Sequence, residues 1–302
     1  MEQDVSGLQR NISRFDVGDM PGHVPETVMH NKIVKLKSPS KINLALWIKE
    51  KCSDGYHEIE TIFYENNDLY DEVEIEFIES DELSIKVSFL QDDLNKLIPN
   101  DKNLAYKAAL LFCEKLGISG QCEIKINKNI PLEAGLGGGS SNAATVLKGL
   151  NQIFNYQLHE TELLILSEKL GSDVSFFIYG GTCLGKGKGE LLTKLENKLN
   201  LDIKIEKLPE ISVSTKWAYE QIDSREFIAE HELQIKNLTT GMKTGNYKLF
   251  FQNIFNDFEM AVFSYYPQLI NLRKKLLNEG YVVSGLCGSG SALFGMKQSN
   301  LI

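Results

Sequence analysis

The sequence has few of the residues that build disulfide frameworks and protein metal sites. Among its 302 residues are only 5 cysteines and 5 histidines. The cysteines are odd in number and form no Cys-x-x-Cys pair, so neither a disulfide framework nor a zinc site is expected. The histidines show no His-Glu-x-x-His or similar pairing, so the sequence predicts no protein metal site.

Proline, net positive charge and long apolar runs are also lacking. With 7 prolines and 24 glycines, the chain is neither collagen-like nor proline-rich. Its 32 basic and 41 acidic residues give a net charge of -9, so no nucleic-acid partner is expected. An acidic chain can still carry a local anion site. The chain has no stretch of about 18 uncharged apolar residues and no apolar signal segment at its start, which predicts a cytoplasmic protein without a membrane partner.

The rest of the composition is typical of a folded globular protein. Hydrophobic residues make up 42% and charged residues 24% of the chain, near the globular average. The length suits two domains of roughly 150 residues each. Residues 1–28 sustain no apolar period and are predicted to form a flexible extension. The folded part is predicted to consist of residues 29–189 and 190–302.

Apolar residues alternate with polar ones in several segments, which indicates strands. In the first, Ile42, Leu44 and Leu46 alternate with more polar residues. A half-buried strand with Lys41 and Asn43 on its polar face is therefore predicted. The other predicted strands span residues 59–64, 73–77, 122–126, 203–205, 211–213, 281–286 and 291–296. Helical spacing with a glycine stop predicts helices at 103–116, 160–170 and 267–278, besides one after the glycine-rich loop. Strands and helices are mixed without strict alternation, so the predicted fold class is α+β.

The most informative segment is the glycine-rich loop at residues 131–142, Pro-Leu-Glu-Ala-Gly-Leu-Gly-Gly-Gly-Ser-Ser-Asn. Its four glycines permit positive φ angles and let several backbone N–H groups point inward. Ser140, Ser141 or Asn142 is expected to cap the following helix, whose N-terminus adds roughly half a positive charge. A strand, a glycine loop and a helix start in this order predict an anion site, and phosphate is the usual occupant.

Other phosphate motifs do not fit this loop. The Walker pattern requires a lysine after the glycines, and none follows here. A dinucleotide fingerprint requires a third glycine where Ser140 stands, and an acid after a following strand, whereas a helix follows here. A tight packing turn is the structural alternative, but one fewer glycine would suffice for it.

The loop resembles the phosphate-binding loop of the GHMP kinases, which transfer phosphate from ATP to small alcohols. Three motifs agree in order and spacing: Ser-Pro-Ser-Lys-Ile-Asn-Leu from residue 38, Asp-Gly-Tyr-His from residue 54, and Gly-Ser-Asp-Val-Ser-Phe-Phe from residue 171. Gly-Ser-Gly-Ser at 288–291 matches the family's C-terminal glycine loop, and the resemblance covers residues 34–296. It points to the branch acting on 4-diphosphocytidyl-2-C-methyl-D-erythritol, because most other branches carry Gly-Leu-Gly-Ser-Ser-Ala in the loop.

The resemblance implies a two-domain kinase fold with its active site in the interdomain cleft. Residues 29–189 would form the ATP-binding domain, and 190–302 a C-terminal domain that is shortened at its end. ATP would be the co-substrate, with Mg²⁺ bound mainly through the ATP phosphates. Asp173 matches the catalytic base and Lys41 its electrostatic partner. The implied ATP-binding residues are Pro131, Leu132, Glu133, Ala134, Gly135, Leu136, Gly137, Gly138, Gly139, Ser140, Ser141, Asn103 and Lys128.

Substrate recognition is implied for three further residues. Asn43 would contact the substrate alcohol, Tyr56 would stack on the cytosine, and His57 would hydrogen-bond to the edge of that base. A second stacking aromatic is common shortly after the Gly-Gly pair at 180–181, but Leu184 holds that place here. Weaker stacking of the cytosine is therefore expected.

The implied reaction is ATP-dependent phosphorylation of the 2-hydroxyl of 4-diphosphocytidyl-2-C-methyl-D-erythritol in non-mevalonate isoprenoid synthesis. The small-molecule partner would carry a cytidine diphosphate group, and the protein is expected to be a monomer or a weak homodimer. From the residues alone, Asp173 could equally cap a helix, and Lys41 could be a solvated strand lysine. Another GHMP kinase and a non-catalytic ligand-binding relative are the alternative functions.

Overall fold

A computed structural model describes residues 32–223 and 230–299. The extension predicted for residues 1–28 lies outside the described residues. The strands are β1 (Lys32–Lys51), β2 (His57–Glu79), β3 (Ser84–Phe89), β4 (Gly120–Asn127), β5 (Thr182–Lys186), β6 (Leu191–Lys194), β7 (Leu201–Glu206), β8 (Phe255–Asn256), β9 (Val283–Leu286) and β10 (Leu293–Gln298). The helices are α1 (Asp92–Leu97), α2 (Leu104–Leu116), α3 (Gly138–Ile153), α4 (Glu160–Glu168), α5 (Ser172–Tyr179), α6 (Thr215–Asp223), α7 (Glu232–Thr244), α8 (Tyr247–Phe251), α9 (Phe258–Tyr265) and α10 (Gln268–Asn278). The mixture of helices and mainly antiparallel strands confirms the α+β class.

The described strands form two sheets. The larger has the order β3-β4-β2-β1-β8, with β5 pairing to β2 and β6 to β5. Its pairs are antiparallel except β3 with β4 and β1 with β8. The smaller sheet has the antiparallel order β7-β10-β9. The parallel β1–β8 pair attaches a strand from the second half of the chain to the sheet of the first half.

The prediction of a half-buried first strand was wrong. Every residue from Ser40 to Ile48 is buried, including Lys41 and Asn43. The polar face is covered because the glycine-rich loop packs on it, with the backbone N–H of Lys41 donating to the Leu136 carbonyl at 3.0 Å. The pairing of β1 with β2 also shifts between Asn43 and Ala45. Such an irregularity re-aims side chains next to a site.

Three other strand predictions need correction. Residues 59–64 and 73–77 were predicted as separate strands, but both belong to the single long strand β2. Residues 211–213 form no strand, although Ile211 and Val213 are buried and Ser212 is exposed. Their alternation comes from a loop with one side on the core, anchored where the Ser291 hydroxyl donates to the Ile211 carbonyl at 2.6 Å.

The helix at 103–116 is confirmed, and its ends follow the expected chemistry. Asn103 is the N-cap of α2, and its side-chain oxygen accepts from the backbone N–H of Ala105 at 2.9 Å. A cap of this kind stabilises by about 1 kcal/mol. Gly117 ends the helix at φ +64°, a left-handed conformation that glycine adopts without steric cost.

The start of α3 differs from the prediction. A serine or Asn142 was expected as the cap, but the N-cap is Gly137 at φ +70°, and it has no side chain to bond the helix. Ser140, Ser141 and Asn142 lie within the first turns of α3. The first N–H groups of α3 therefore have no side-chain cap.

Among the described residues, buried apolar side chains form three clusters. One lies between the large sheet and α2 to α5. The second joins Ile42 and Ile62 to Leu238 and Phe294, and the third joins Leu46 to residues of α6, α9 and α10. Each fully buried large apolar side chain contributes about 1.5–3 kcal/mol, so the two halves of the chain stabilise each other. The domain boundary at 189–190 stays a prediction.

No helix within the described residues is long and apolar enough to cross a membrane.

Candidate active site

Lys41 and Asp173 form an ion pair between two elements that are far apart in sequence. The chain reaches α5 through Gly171, and Asp173 lies in the first turn of this helix. The Lys41 Nζ lies 3.7 Å from Oδ2 of Asp173, and the side chain of Lys41 is 7% exposed against 37% for Asp173. A carboxylate in the first turn of a helix is favoured by the helix dipole. Asp173 thus presents a carboxylate to solvent beside a buried ammonium.

A short chain of hydrogen bonds sets the direction of Lys41. Its Nζ donates to Oδ1 of Asn43 at 2.9 Å. The Asn43 amide donates to the Thr61 hydroxyl at 2.8 Å, and that hydroxyl donates to the Ala45 carbonyl at 2.7 Å. Because the donors in this series of hydrogen bonds are paired with acceptors, the side chain of the buried Lys41 is held in one orientation.

The glycine-rich loop lies in close contact with the C-terminal glycine loop. Gly135 adopts φ +75°, and a Cβ at this residue would lie 1.8 Å from the carbonyl oxygen of Cys287. A Cβ on Gly137, at φ +70°, would lie 3.0 Å from Cγ of Lys41. The backbone N–H of Ala292 also donates to the Ala134 carbonyl at 3.3 Å. Only glycine allows the two loops and Lys41 to approach so closely.

Beneath the glycine-rich loop lies a buried carboxylate, Asp71, which is 0% exposed. Its Oδ1 accepts from the backbone N–H groups of Asn129 and Ile130, each at 2.8 Å. Its Oδ2 accepts from the Asn142 amide at 2.9 Å and from the Lys128 ammonium. Asp71 therefore joins β2 to the start of the loop and to the first turns of α3.

A cavity of about 770 Å³ opens beside Asp173. Tyr56, His57 and Tyr219 line it, together with Lys188 and Ser140. A smaller adjoining cavity of about 200 Å³ shares Asp173, Lys188 and Tyr219 with it and is also lined by Lys41, Asn43 and the glycines at 135 and 137. Two adjoining cavities thus extend from an aromatic end to the Lys41–Asp173 pair.

His57 contacts two side chains of α6, those of Tyr219 and Asp223. Its ring stacks on Tyr219 with centroids 5.1 Å apart and an interplanar angle of 19°. Its Nε2 lies 2.8 Å from Oδ1 of Asp223, whose other oxygen accepts from Lys51. The hydrogen bond from Lys51 lowers the pKa of Asp223. Burial, with a smaller effect of the Asp173 charge, raises the pKa of Tyr219 to about 12, so this phenol is neutral over the physiological range.

Tyr56 is held differently from His57. It is 62% exposed, and the Lys188 ammonium lies 4.1 Å from its ring centroid. Lys188 also pairs with Asp54 at 2.7 Å, and this hydrogen bond lowers the pKa of the Asp54 carboxyl. The tight turn before β2 thus supplies one exposed aromatic ring and one buried imidazole to the same cavity.

Family models match both halves of the chain. Residues 103–181 match the GHMP kinases N terminal domain, and residues 235–300 match the GHMP kinases C terminal domain. A protein of Caldicellulosiruptor bescii, named 4-diphosphocytidyl-2-C-methyl-D-erythritol kinase, is 40% identical over 264 residues, which are 87% of this chain and 89% of that protein. The chain belongs to the GHMP kinase family. A Clostridium tetani protein of the same name is 37% identical over 262 residues, covering 87% of this chain and 90% of its own length.

Solved structures agree with the membership in the GHMP kinases. A crystal structure of 4-(cytidine 5'-diphospho)-2C-methyl-D-erythritol kinase superposes with TM-score 0.71 at 29% identity, over 87% of this chain and 89% of that one. Homoserine kinase from Cytophaga hutchinsonii superposes with TM-score 0.70 at 22% identity, over 91% of this chain and 87% of that one. The second likeness shows the fold alone.

The GHMP fold brings both predicted catalytic residues and all three predicted substrate-binding residues to one cleft. Lys41, Asn43 and Asp173 line the smaller cavity together with Gly135 and Gly137, and Tyr56 and His57 line the larger one. Three predicted ATP-binding residues form hydrogen bonds or ion pairs with other protein groups in this GHMP kinase. Lys128 is paired with Asp71, Asn103 caps α2, and Ser141 is buried with its hydroxyl accepting from Ser38 at 2.8 Å.

Sequence reasoning missed Tyr219 and Asp223. Both lie on α6, which no predicted element covered, and the Trp-Ala-Tyr segment alone carries no signal of a ligand site. Leu184, expected to stand in place of a second stacking aromatic, does not line the larger cavity, whereas Tyr219 does. Leu184 lies on β5 paired with Ile62 and packs on an apolar cluster, while the ring that stacks on His57 belongs to Tyr219.

Proposed function

We propose that this protein catalyses the ATP-dependent phosphorylation of the 2-hydroxyl of 4-diphosphocytidyl-2-C-methyl-D-erythritol, a step of non-mevalonate isoprenoid synthesis. The observation that carries the proposal is the pair of adjoining cavities that extend from the Tyr56–His57–Tyr219 end to the Lys41–Asp173 pair. Such a space suits a ligand with a flat base at one end and an alcohol at the other. The names of the relatives support the same substrate.

Asp173 is the general base in this proposal. As the acceptor hydroxyl oxygen bonds to the γ-phosphorus of ATP, Asp173 accepts the hydroxyl proton. The bond from that phosphorus to the β,γ-bridging oxygen breaks, and ADP leaves. Positioning and charge neutralisation carry most of the acceleration in phosphoryl transfer. Lys41, held 3.7 Å from Asp173 and 2.9 Å from Asn43, supplies a positive charge at the reacting centre.

The glycine-rich loop from 131 to 141 holds the ATP phosphates in this proposal. Two of its glycines, Gly135 and Gly137, adopt positive φ, a conformation that allows backbone N–H groups to point at a phosphate. The start of α3 has no side-chain cap, so it adds N–H donors and a partial positive charge. Lys128 supports the loop through Asp71. These donors explain how a chain of net charge -9 can bind two polyphosphate ligands.

Magnesium binds mainly through the ATP phosphates in this proposal. Among residues 32–223 and 230–299, no three His, Cys, Asp or Glu side chains are grouped as metal ligands. Mg²⁺ bound to a nucleotide needs only one or two protein oxygens, and Ser140 lines the cavity from which such an oxygen would come. When bound, the ion neutralises phosphate charge.

An ADP-release assay with a panel of alcohols tests the proposal. We expect turnover with 4-diphosphocytidyl-2-C-methyl-D-erythritol and background rates with mevalonate, homoserine and galactose. Faster ADP release with one of the other three alcohols would assign the protein to a different GHMP activity. Absence of ADP release with all four, in a protein that still binds ATP, would identify a non-catalytic relative.

A further inference from the structure

Asp223 is a carboxylate with two different partners at the aromatic end of the cavity. One oxygen lies 2.8 Å from Nε2 of His57, and the other accepts from the ammonium of Lys51. The three residues come from three elements, namely the end of β1, the start of β2 and the end of α6. Lys51 keeps this carboxylate ionised, since its hydrogen bond lowers the pKa of Asp223.

An ionised carboxylate can only accept hydrogen bonds, so the Nε2 of His57 must carry the proton in this pair. In a neutral imidazole the other ring nitrogen, Nδ1, is then an acceptor. Among the described residues no group donates to Nδ1 of His57, and the histidine lines the cavity. The parallel ring of Tyr219, 5.1 Å away, fixes the plane of the imidazole.

We infer that Asp223 is a positioning residue that selects cytosine over uracil by fixing the tautomer of His57. Cytosine carries an amino donor at N4, whereas uracil carries a carbonyl acceptor at the same position. An acceptor Nδ1 can bond to the amino group, but it meets the uracil carbonyl as a second acceptor. A site with a fixed polar group rejects the mismatched base because that group is left unpaired. The inference rests on the proposed function, since it assumes a cytidine substrate.

The variant Asp223→Asn tests the inference, because an amide can present either oxygen or nitrogen to His57 and permits both tautomers. In the wild type, spectra of ¹⁵N-histidine-labelled protein should show His57 protonated at Nε2, and CDP should bind more tightly than UDP. In Asp223→Asn we expect a mixed tautomer and a CDP-to-UDP affinity ratio reduced by about tenfold to a hundredfold. The KM for ATP should stay unchanged, and Asp223→Glu should restore part of the ratio.

Asp202→Asn is the matched control, because Asp202 is a half-exposed aspartate paired with Lys297 at 3.4 Å on β7. It should keep both the tautomer and the base preference of the wild type. If the wild type phosphorylates the cytidyl substrate and the Asp223→Asn variant still prefers CDP to the same degree, the inference is overturned and the proposed function stands. A wild-type His57 protonated at Nδ1 would also overturn it. A protein that phosphorylates another alcohol and binds no CDP would overturn the proposed function as well.

Discussion

The Lys41 ammonium lies 3.7 Å from the Asp173 carboxylate, at the meeting point of the two cavities. Lys41 is buried on β1, whereas Asp173 is more than one-third exposed at the start of α5. The exposed partner can reach a ligand, and the buried partner is held in place by Asn43. This asymmetry fits a base that meets substrate and a cation that does not move.

Replacing Asp173 by Asn should remove the base without changing the shape of the site. General-base catalysis contributes about 10²–10⁴-fold, so kcat should fall by this factor while the affinity for ATP stays near that of the wild type. Steady-state kinetics and ATP titration measure the two quantities. Asp202→Asn serves as the control, with kinetics like those of the wild type. If kcat of Asp173→Asn matched that of the wild type, Asp173 could not be the base.

Replacing Gly135 or Gly139 by alanine should have different effects on the free energy of unfolding. At Gly135 the φ of +75° and the Cys287 carbonyl 1.8 Å from the added Cβ require backbone movement. We expect Gly135→Ala to lower the free energy of unfolding by about 1–3 kcal/mol or more. Gly139 has open space around its Cβ position and lies in α3, so Gly139→Ala should be neutral or stabilise by up to about 1 kcal/mol. Urea unfolding without ATP measures both, and equal losses would contradict the loop contact.

The Asp71–Lys128 pair should be strongly coupled. Both side chains are nearly inaccessible, at 0% and 6% exposure, so Asp71→Asn leaves a buried ammonium without its counter-charge. Breaking such a pair costs about 3–5 kcal/mol of unfolding free energy. The double variant Asp71→Asn/Lys128→Met should regain part of this loss. A loss below about 1 kcal/mol in the single variant would show that the pair does not support the loop.

The cysteines should differ sharply in their reactivity toward a disulfide reagent. Cys52 is exposed, whereas burial raises the pKa to about 11 for Cys113 and Cys183 and to about 12 for Cys122 and Cys287. At pH 8 the native protein should react rapidly at one thiol, and the protein unfolded in guanidinium at all 5. Fast reaction of a second thiol in the native protein would contradict the buried core.

The buried thiols among these cysteines make the free energy of unfolding decrease at high pH. Their folded-state pKa values lie above the ordinary thiol value of 9.0, so the folded state disfavours the thiolate. The contribution of these thiols to the free energy of unfolding is therefore fully present below about pH 9 and is lost as the pH rises toward 12. Replacing Cys122 by Ala should reduce the slope of unfolding free energy against pH above pH 9. An unchanged slope would contradict the pKa shift.

Local sequence signals predicted the elements whose ends have a local cause. The helix at 103–116 was recognised because Asn103 and Gly117 are capping residues that act on their own neighbours. The final pair of strands was recognised because β9 and β10 are joined by a short glycine turn. Signals of this kind failed at 211–213, where the alternation came from packing against distant residues and not from strand pairing.

The sequence by itself determined the family, the glycine-rich loop and the two groups of the ion pair, because each is carried by a contiguous motif whose chemistry depends on neighbouring residues. Only the tertiary structure decided that Lys41 is buried, that Lys128 pairs with Asp71, and that Tyr219 and Asp223 flank His57. Residues 57 and 223 are separated by more than half of the chain. Contacts of this kind arise from the packing of α6 against the first half of the protein, and no local pattern of residue types encodes them.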